Sequence, residues 1–246
     1  EWAWLTFLIY TNYKGFIFYT LGIAIDCNYI NLSIIDLNYK ILAEKNTTIN
    51  CDDLVPKAMI EKSYHFFEKL CEENNIDEEK VKALGLSCSG LIDYKKGIVK
   101  YSPQLDWQNV PLVEIVQKLF GKPSFLDNDV KMALIGATFQ SNKLINSDVT
   151  YLTVGAGVAA AVMYSGKLVR GTQNASGEIG HSLFSLNGKK CSCGQKGCLS
   201  PYISELGLIQ EAKSIYKRDI NMTKIIELFR KNDINARKLI DELTDN

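Results

Sequence analysis

No charge of either sign prevails in this chain. Lysine and arginine number 28, aspartate and glutamate also 28, so there is no basic face of the kind that binds nucleic acid. Long apolar runs are missing too. The first 25 residues are apolar and aromatic, but Lys14 and Gly15 split them into stretches shorter than the roughly 20 residues of a spanning helix. Neither a basic start nor a small-residue cleavage site marks a signal peptide. We therefore expect no membrane segment. Cysteine is odd in number, at 7, which argues against a disulfide scaffold and for a reducing, cytoplasmic setting. Histidine is scarce, with two in 246 residues.

One of those two histidines stands in the most informative stretch of the chain. Gly177-Glu178-Ile179-Gly180-His181 is followed by Cys191-x-Cys193-Gly194-x-x-Gly197-Cys198. His181, Cys191, Cys193 and Cys198 make a full set for tetrahedral zinc, which in structural sites is closed by four sulfur or imidazole ligands. The glycines between them permit the tight turns that let the three cysteines converge. The remaining Cys27, Cys51, Cys71 and Cys88 lie among apolar neighbours and read as small core residues.

Upstream, Phe7 to Tyr10, the turn Thr11 to Gly15 and Phe16 to Tyr19 read as a β-hairpin. Leu21 to Asp26 and Tyr29 to Leu37 read as strands, and Leu54 to Glu73 has apolar residues at helical spacing. Val81 to Cys88 is a buried strand leading into Ser89-Gly90. Pro111 to Phe120 is a helix opened by proline. Pro123 to Leu126 is a strand ending at Asp127-Asn128-Asp129, and Val130 to Phe139 is the next helix. Val149 to Val154 and Ala159 to Tyr164 are strands flanking Gly155-Ala156-Gly157, and everything beyond Ser200 reads as helical. Strands alternating with helices indicate an α/β fold with partly parallel sheets.

The glycine-rich His and Cys stretch resembles the signature of the ROK family of repressors, open reading frames and sugar kinases. Similarity extends to Ser89-Gly90-Leu91-Ile92-Asp93, Gly97-Ile98-Val99, Trp107 to Leu112, Leu126-Asp127-Asn128-Asp129, Thr153 to Val158 and Gly166 to Gly171, in family order. The resemblance implies an actin- and hexokinase-like (ribonuclease H-like) fold of two α/β lobes with a sugar cleft. On that pattern, residues 1–20 are a hairpin or linker, 21–126 a smaller lobe, and 127–246 a larger lobe with the zinc loop. The carboxyl-terminal part looks truncated, since the family's closing elements have no counterpart. Carried over by position, Asn128, Asp129, Glu178, His181 and Gly90 belong to the sugar site. Asp129 stands where a kinase has its catalytic base, and His181 gives its other ring nitrogen to zinc.

Departures from the family pattern bear on function. The kinases open with Asp-x-Gly-Gly-Thr, whose backbone amides approach phosphate; this chain has Ala24-Ile25-Asp26-Cys27-Asn28 there. A side chain obstructs that approach, and a carboxylate repels phosphate. The second phosphate turn keeps Gly155 and Gly157 but continues as Val158-Ala159-Ala160-Ala161. Ser200 replaces a sugar-binding Glu, Ser89 replaces Pro, and Lys131 and Ala137 replace Asn and Glu. These losses argue against Mg-ATP as a cofactor. The resulting expectation is a zinc-stabilised, sugar-sensing domain of a ROK-type regulator. It would pair as a homodimer and meet DNA only through a winged-helix domain absent from this chain. A divergent sugar kinase acting through Asp129 is the alternative.

Overall fold

The computed structural model describes residues 18–49, 54–141 and 147–244. The expected hairpin lies outside the described residues except for Phe18 and Tyr19, and Cys51 lies outside them as well. Apolar residues at every second position build the main sheet. Leu21, Ile23 and Ile25 of β1 (Tyr19–Ile25) and Ile30, Leu32 and Ile34 of β2 (Tyr29–Asp36) are buried. An antiparallel strand, β3 (Ile41–Thr48), extends the meander. It escapes the sequence reading because only Ala43 of its eight residues is buried, which leaves no apolar alternation to see.

The chain then crosses through α1 (Pro56–Glu73) to β4 (Val81–Cys88), which pairs parallel with β1. Helix α1 buries Met59, Ile60, Phe67, Leu70 and Cys71, spacing that puts them on one face. Three short strands follow: β5 (Leu91–Asp93), β6 (Ile98–Ser102) and β7 (Trp107–Val110), paired antiparallel as a small sheet. Helix α2 (Leu112–Phe120) buries Leu112, Val116 and Phe120 and leads to β8 (Ser124–Asn128), parallel to β4. The five-stranded order is β3-β2-β1-β4-β8, and α3 (Asp129–Gln140) follows. Under the sheet, Phe120 meets Tyr64 edge-on at 4.9 Å and Phe67 at 5.6 Å between ring centres. Cys71 and Cys88 are buried as expected, and Cys27 is half-buried.

Two compact units emerge, one of residues 1–145 with 172–174, the other of residues 146–171 with 175–246. The lobe boundary expected after Leu126 falls inside the first unit, because β8 is zipped onto β4 from Leu84↔Ser124 to Cys88↔Asn128 and carries α3 with it. In the second unit, β9 (Val149–Val154), β10 (Val158–Tyr164) and β11 (Lys167–Leu168) form an antiparallel sheet, with β9 at one edge. The helices expected beyond Ser200 are α4 (Ser200–Ile203), α5 (Glu205–Tyr216), α6 (Met222–Arg230) and α7 (Ile234–Thr244). Ala212, Ile220, Ile225 and Leu239 make a second core among them. Among the described residues, no helix is long and apolar enough to cross a membrane.

Phe67 is 1% exposed at the centre of the first core. Phe67→Ala should cost about 3–5 kcal/mol in urea unfolding; a loss below about 1 kcal/mol would place that ring outside the cooperative core.

Candidate ligand site and metal centre

Because β1, β4 and β8 run parallel, with Ile25 opposite Cys88 and Cys88 opposite Asn128, the residues that follow them emerge at one sheet edge. Ligands of open α/β sheets gather at the carboxyl ends of the strands. Here that edge carries Asp26, Ser89-Gly90 and Asn128-Asp129. Gly90 has φ +111°, and a Cβ on it would stand 2.3 Å from the Tyr101 carbonyl oxygen, so only glycine fits. Its own carbonyl accepts from Asn128 Nδ2 at 3.2 Å. Asn128 Oδ1 caps α3, accepting from the amides of Val130 at 3.1 Å and Lys131 at 3.2 Å. Asn128 is therefore fixed at both ends of its side-chain amide, and its second Nδ2 proton is what remains for a ligand.

Asp129 opens α3 and is half-buried. Burial pushes its carboxyl above the ordinary value, and the charge of Asp26 adds to this. The amides of Val130 and of Asp129 itself, with the Lys131 ammonium, pull the other way. Burial also raises the Tyr29 phenol and the Cys88 thiol, and both feel the charges of Asp26 and Asp129. Asp26, Tyr29, Cys88 and Asp129 thus share one electrostatic neighbourhood.

Behind this edge lies a buried polar group that sequence reading missed. Asp127 Oδ1 accepts from the Asn128 amide at 2.8 Å and from Asn174 Nδ2 at 3.1 Å. Asn174 Nδ2 also reaches the Ile92 carbonyl at 3.1 Å, and Lys131 Nζ donates to the Asn174 carbonyl at 3.0 Å. Lys131 is visible in the sequence as a departure from the family pattern; its partner, 43 residues away, is not.

The turn after β1 closes on itself. Asp26 Oδ1 accepts from the Asn28 amide at 3.0 Å, and the Asp26 amide donates to the Tyr29 carbonyl. This is an Asx turn, and it consumes an amide at the point where a phosphate turn must present one. In the turn between β9 and β10, the Gly155 amide donates to the Gly157 carbonyl at 2.9 Å, and the Gly155 carbonyl accepts from the Glu205 amide at 2.8 Å.

In the second unit, Gly177 pins the metal loop to β10. Its carbonyl accepts from the Ala160 amide at 2.7 Å. It holds φ +89°, and a Cβ there would sit 1.8 Å from the Ala160 oxygen. The 3-10 turn Ile179–His181 follows directly after Glu178, which is half-buried. Further on, the Cys191 amide donates to the Gln195 carbonyl and the Gly194 amide to the Cys191 carbonyl, forming a tight knuckle. A bridge between Leu183 and Cys198 closes the knuckle back onto the histidine arm. His181 Nδ1 lies 3.5 Å from Cys191 Sγ, and Cys193 Sγ lies 3.8 Å from Cys198 Sγ; all four donor atoms lie within 4.8 Å of one another. Tetrahedral coordination at zinc–ligand lengths of about 2.0–2.3 Å sets ligand atoms roughly 3.3–3.8 Å apart. The His181–Cys191 and Cys193–Cys198 separations match this spacing, and the wider ones, up to 4.8 Å, would close by up to about 1 Å around an ion. Nδ1 faces the cluster, so Nε2 is the ring atom left for another partner. Burial, with the Cys193 and Cys191 thiols beside it, pushes the Cys198 thiol up to about 12, so a cation bound there displaces protons and binds more tightly as pH rises.

The structure thus brings together Gly90, Asn128 and Asp129 in the first unit. It separately assembles His181, Cys191, Cys193 and Cys198 in the second, which also holds Glu178, Gly155 and Gly157. Residues 20–246 match the ROK family, and the chain is a member of it. Among its relatives, the xylose repressor of Caldicellulosiruptor bescii is 28% identical over 81% of this chain and 50% of the repressor. A glucokinase of Thermotoga maritima is 33% identical over 58% of this chain and 45% of the kinase. The chain spans about half the length of the curated relatives it matches. A solved ROK family glucokinase from Streptomyces griseus, in complex with glucose and AMPPNP, shares the fold with a TM-score of 0.75 at 24% identity, over 92% of this chain and 75% of that one. The expected hexokinase-like fold is therefore present.

Asp129 has a consequence for stability. Its carboxyl is raised in the folded protein, so the unfolded chain ionises first as pH rises through about 4. Folding stability falls between the unfolded and folded values and stays lower above both. Asp129→Asn removes that penalty. The variant should melt at a higher temperature than the parent at about pH 7, with the difference shrinking as pH falls toward about 4. An equal or lower midpoint at neutral pH would contradict the burial penalty.

Proposed function

We propose that this chain is the sugar-sensing effector domain of a ROK-type transcriptional regulator and does not transfer phosphate. The observation that carries the reading is the Asp26 carboxylate, which takes the Asn28 amide in the turn after β1. In a ROK kinase that turn must offer bare backbone to phosphate. Here it offers an anion, and electrostatic repulsion opposes a polyanionic ligand. The extent of similarity supports the same side: the xylose repressor relative matches 81% of the chain, the glucokinase relative 58%.

In this reading Asp129 accepts hydrogen bonds from sugar hydroxyls, and Asn128 and the Gly90 turn set its surroundings. Glu178 and His181 take further hydroxyls. His181, Cys191, Cys193 and Cys198 would hold a zinc ion, and the bond to it would orient the histidine ring. Such an ion would be structural, and what it would supply is rigidity of the knuckle. The sugar biases an equilibrium between two states by its difference in affinity for them. That bias passes through a homodimer to a winged-helix DNA-binding domain outside these 246 residues. The kinase alternative rests on Asp129, whose raised carboxyl suits a general base.

Titration calorimetry with D-xylose, D-glucose and N-acetyl-D-glucosamine tests the sugar site. At least one should bind, and Asp129→Ala should weaken it by at least roughly tenfold, the loss expected of a charge-assisted hydrogen bond, with the circular dichroism spectrum unchanged. Heat from none of the three, or equal affinity in the variant, would contradict the assignment. For the metal, Cys193→Ser should lower both zinc content and melting temperature. A purified parent chain that carries no zinc and gains no stability on adding it would rule the metal out.

A further inference from the structure

Asn174 combines three features rarely met together. It is 6% exposed, it is polar, and it holds φ +59°, the left-handed region that asparagine and glycine adopt most readily. Glycine would satisfy the backbone without strain, so what Asn174 adds is its side chain. That amide joins the Ile92 carbonyl to Asp127 Oδ1, and the main-chain carbonyl of Asn174 receives Lys131 Nζ. Lys131 is 1% exposed. A buried ammonium is costly, and an apolar residue of similar volume usually serves stability better.

The bonds close into a ring. Asn174 holds Asp127, Asp127 holds the Asn128 amide, Asn128 Oδ1 holds the Lys131 amide, and Lys131 Nζ returns to Asn174. Asn128 is inside the ring and Asp129 lies between two of its members in sequence. Residues 172–174 group with the first unit although the chain on either side of them groups with the second. The ring is therefore completed by a segment that arrives from elsewhere in the sequence.

We infer that Lys131 and Asn174 are positioning residues for the ligand site, holding Asn128 and Asp129 in the geometry that receives a sugar hydroxyl. This rests on the sugar-sensing reading above. Neither residue touches the ligand; both act through Asn128, Asp127 and the first turn of α3. Lys131 has a second effect. Its charge favours the carboxylate form of Asp129, against Asp26 at the end of β1, with Tyr29 of β2 and Cys88 of β4 in the same field.

The test uses the whole chain, Asn174→Gly and Lys131→Met, with the same three sugars as probes. Asn174→Gly suits the left-handed backbone and should fold, yet bind the sugar at least about tenfold more weakly, the scale of losing a buried hydrogen-bonded support. Lys131→Met should weaken binding and also move the acid limb of the sugar-binding pH profile to higher pH, because Asp129 then needs a higher pH to ionise. Asn174→Gly should leave that limb in place. Hydrogen exchange of residues 171–178, measured without sugar, should speed up in both variants. Parent-like sugar affinity in both variants, or a limb that stays put in Lys131→Met, overturns the inference. If the parent itself binds none of the sugars, the sugar reading fails first; faster exchange in the variants would then leave the ring a structural support, and the positioning role would fall with the site.

Discussion

The in-register parallel pairing of β1, β4 and β8 is the constraint on which the first unit depends. It delivers three chain turns, at Asp26, at Ser89-Gly90 and at Asn128-Asp129, to one sheet edge. A slip of one residue in such a ladder would send the inward side chains to the opposite face. The register is held by a continuous apolar core beneath it, from Leu21 to Leu126. Above that core, the polar groups at the edge are joined to one another rather than left to solvent. Asn128 reaches Gly90, Asp127 reaches Asn174, and Lys131 reaches back to Asn174. The half-buried Asp129 carboxyl, raised by burial, works against stability there, and a carboxyl so placed marks a candidate site.

The metal loop obeys a different logic. Gly177 lies against β10 so closely that no side chain fits, and this contact fixes where Glu178 and His181 begin. The knuckle from Cys191 to Cys198 has little apolar material of its own, and Leu183 and Leu186 beside it are exposed. A segment with so few buried apolar contacts gains order from a cross-link, and its four donors form a set that could hold a cation in that role. His181 turns Nδ1 toward the three thiols, which leaves Nε2 as its other ring donor or acceptor.

Much of this was legible in the sequence, for identifiable reasons. The His and Cys spacing encodes the ligand set because all four donors lie close along the chain, and the structure brings them together. Strands β1 and β2 and helices α1 and α2 announce themselves by periodic burial, whereas β4, β9 and β10 read as runs of apolar and β-branched residues. Strands β5 to β7 do neither. They are three to five residues long and carry mixed polar and apolar side chains, too short for a period to emerge. The ring through Asn174 was illegible for a stronger reason. It joins residues 43, 47 and 82 positions apart, and no local pattern marks Asn174 as buried. Asp26, by contrast, is visible in the sequence as a departure from the family's turn, and its carboxylate accepts from the Asn28 amide.

Repressors and kinases share this family, and the distinction between them here comes down to the two phosphate turns. Equilibrium titration of Mg-ATP into the zinc-loaded chain, alone and with saturating D-xylose or D-glucose, addresses it directly. With Asp26 closing the first turn, nucleotide should produce no binding heat in either case, while sugar alone does. Nucleotide binding in the micromolar to millimolar range, strengthened by sugar, would mean that the turn opens to phosphate and that the chain works as a kinase.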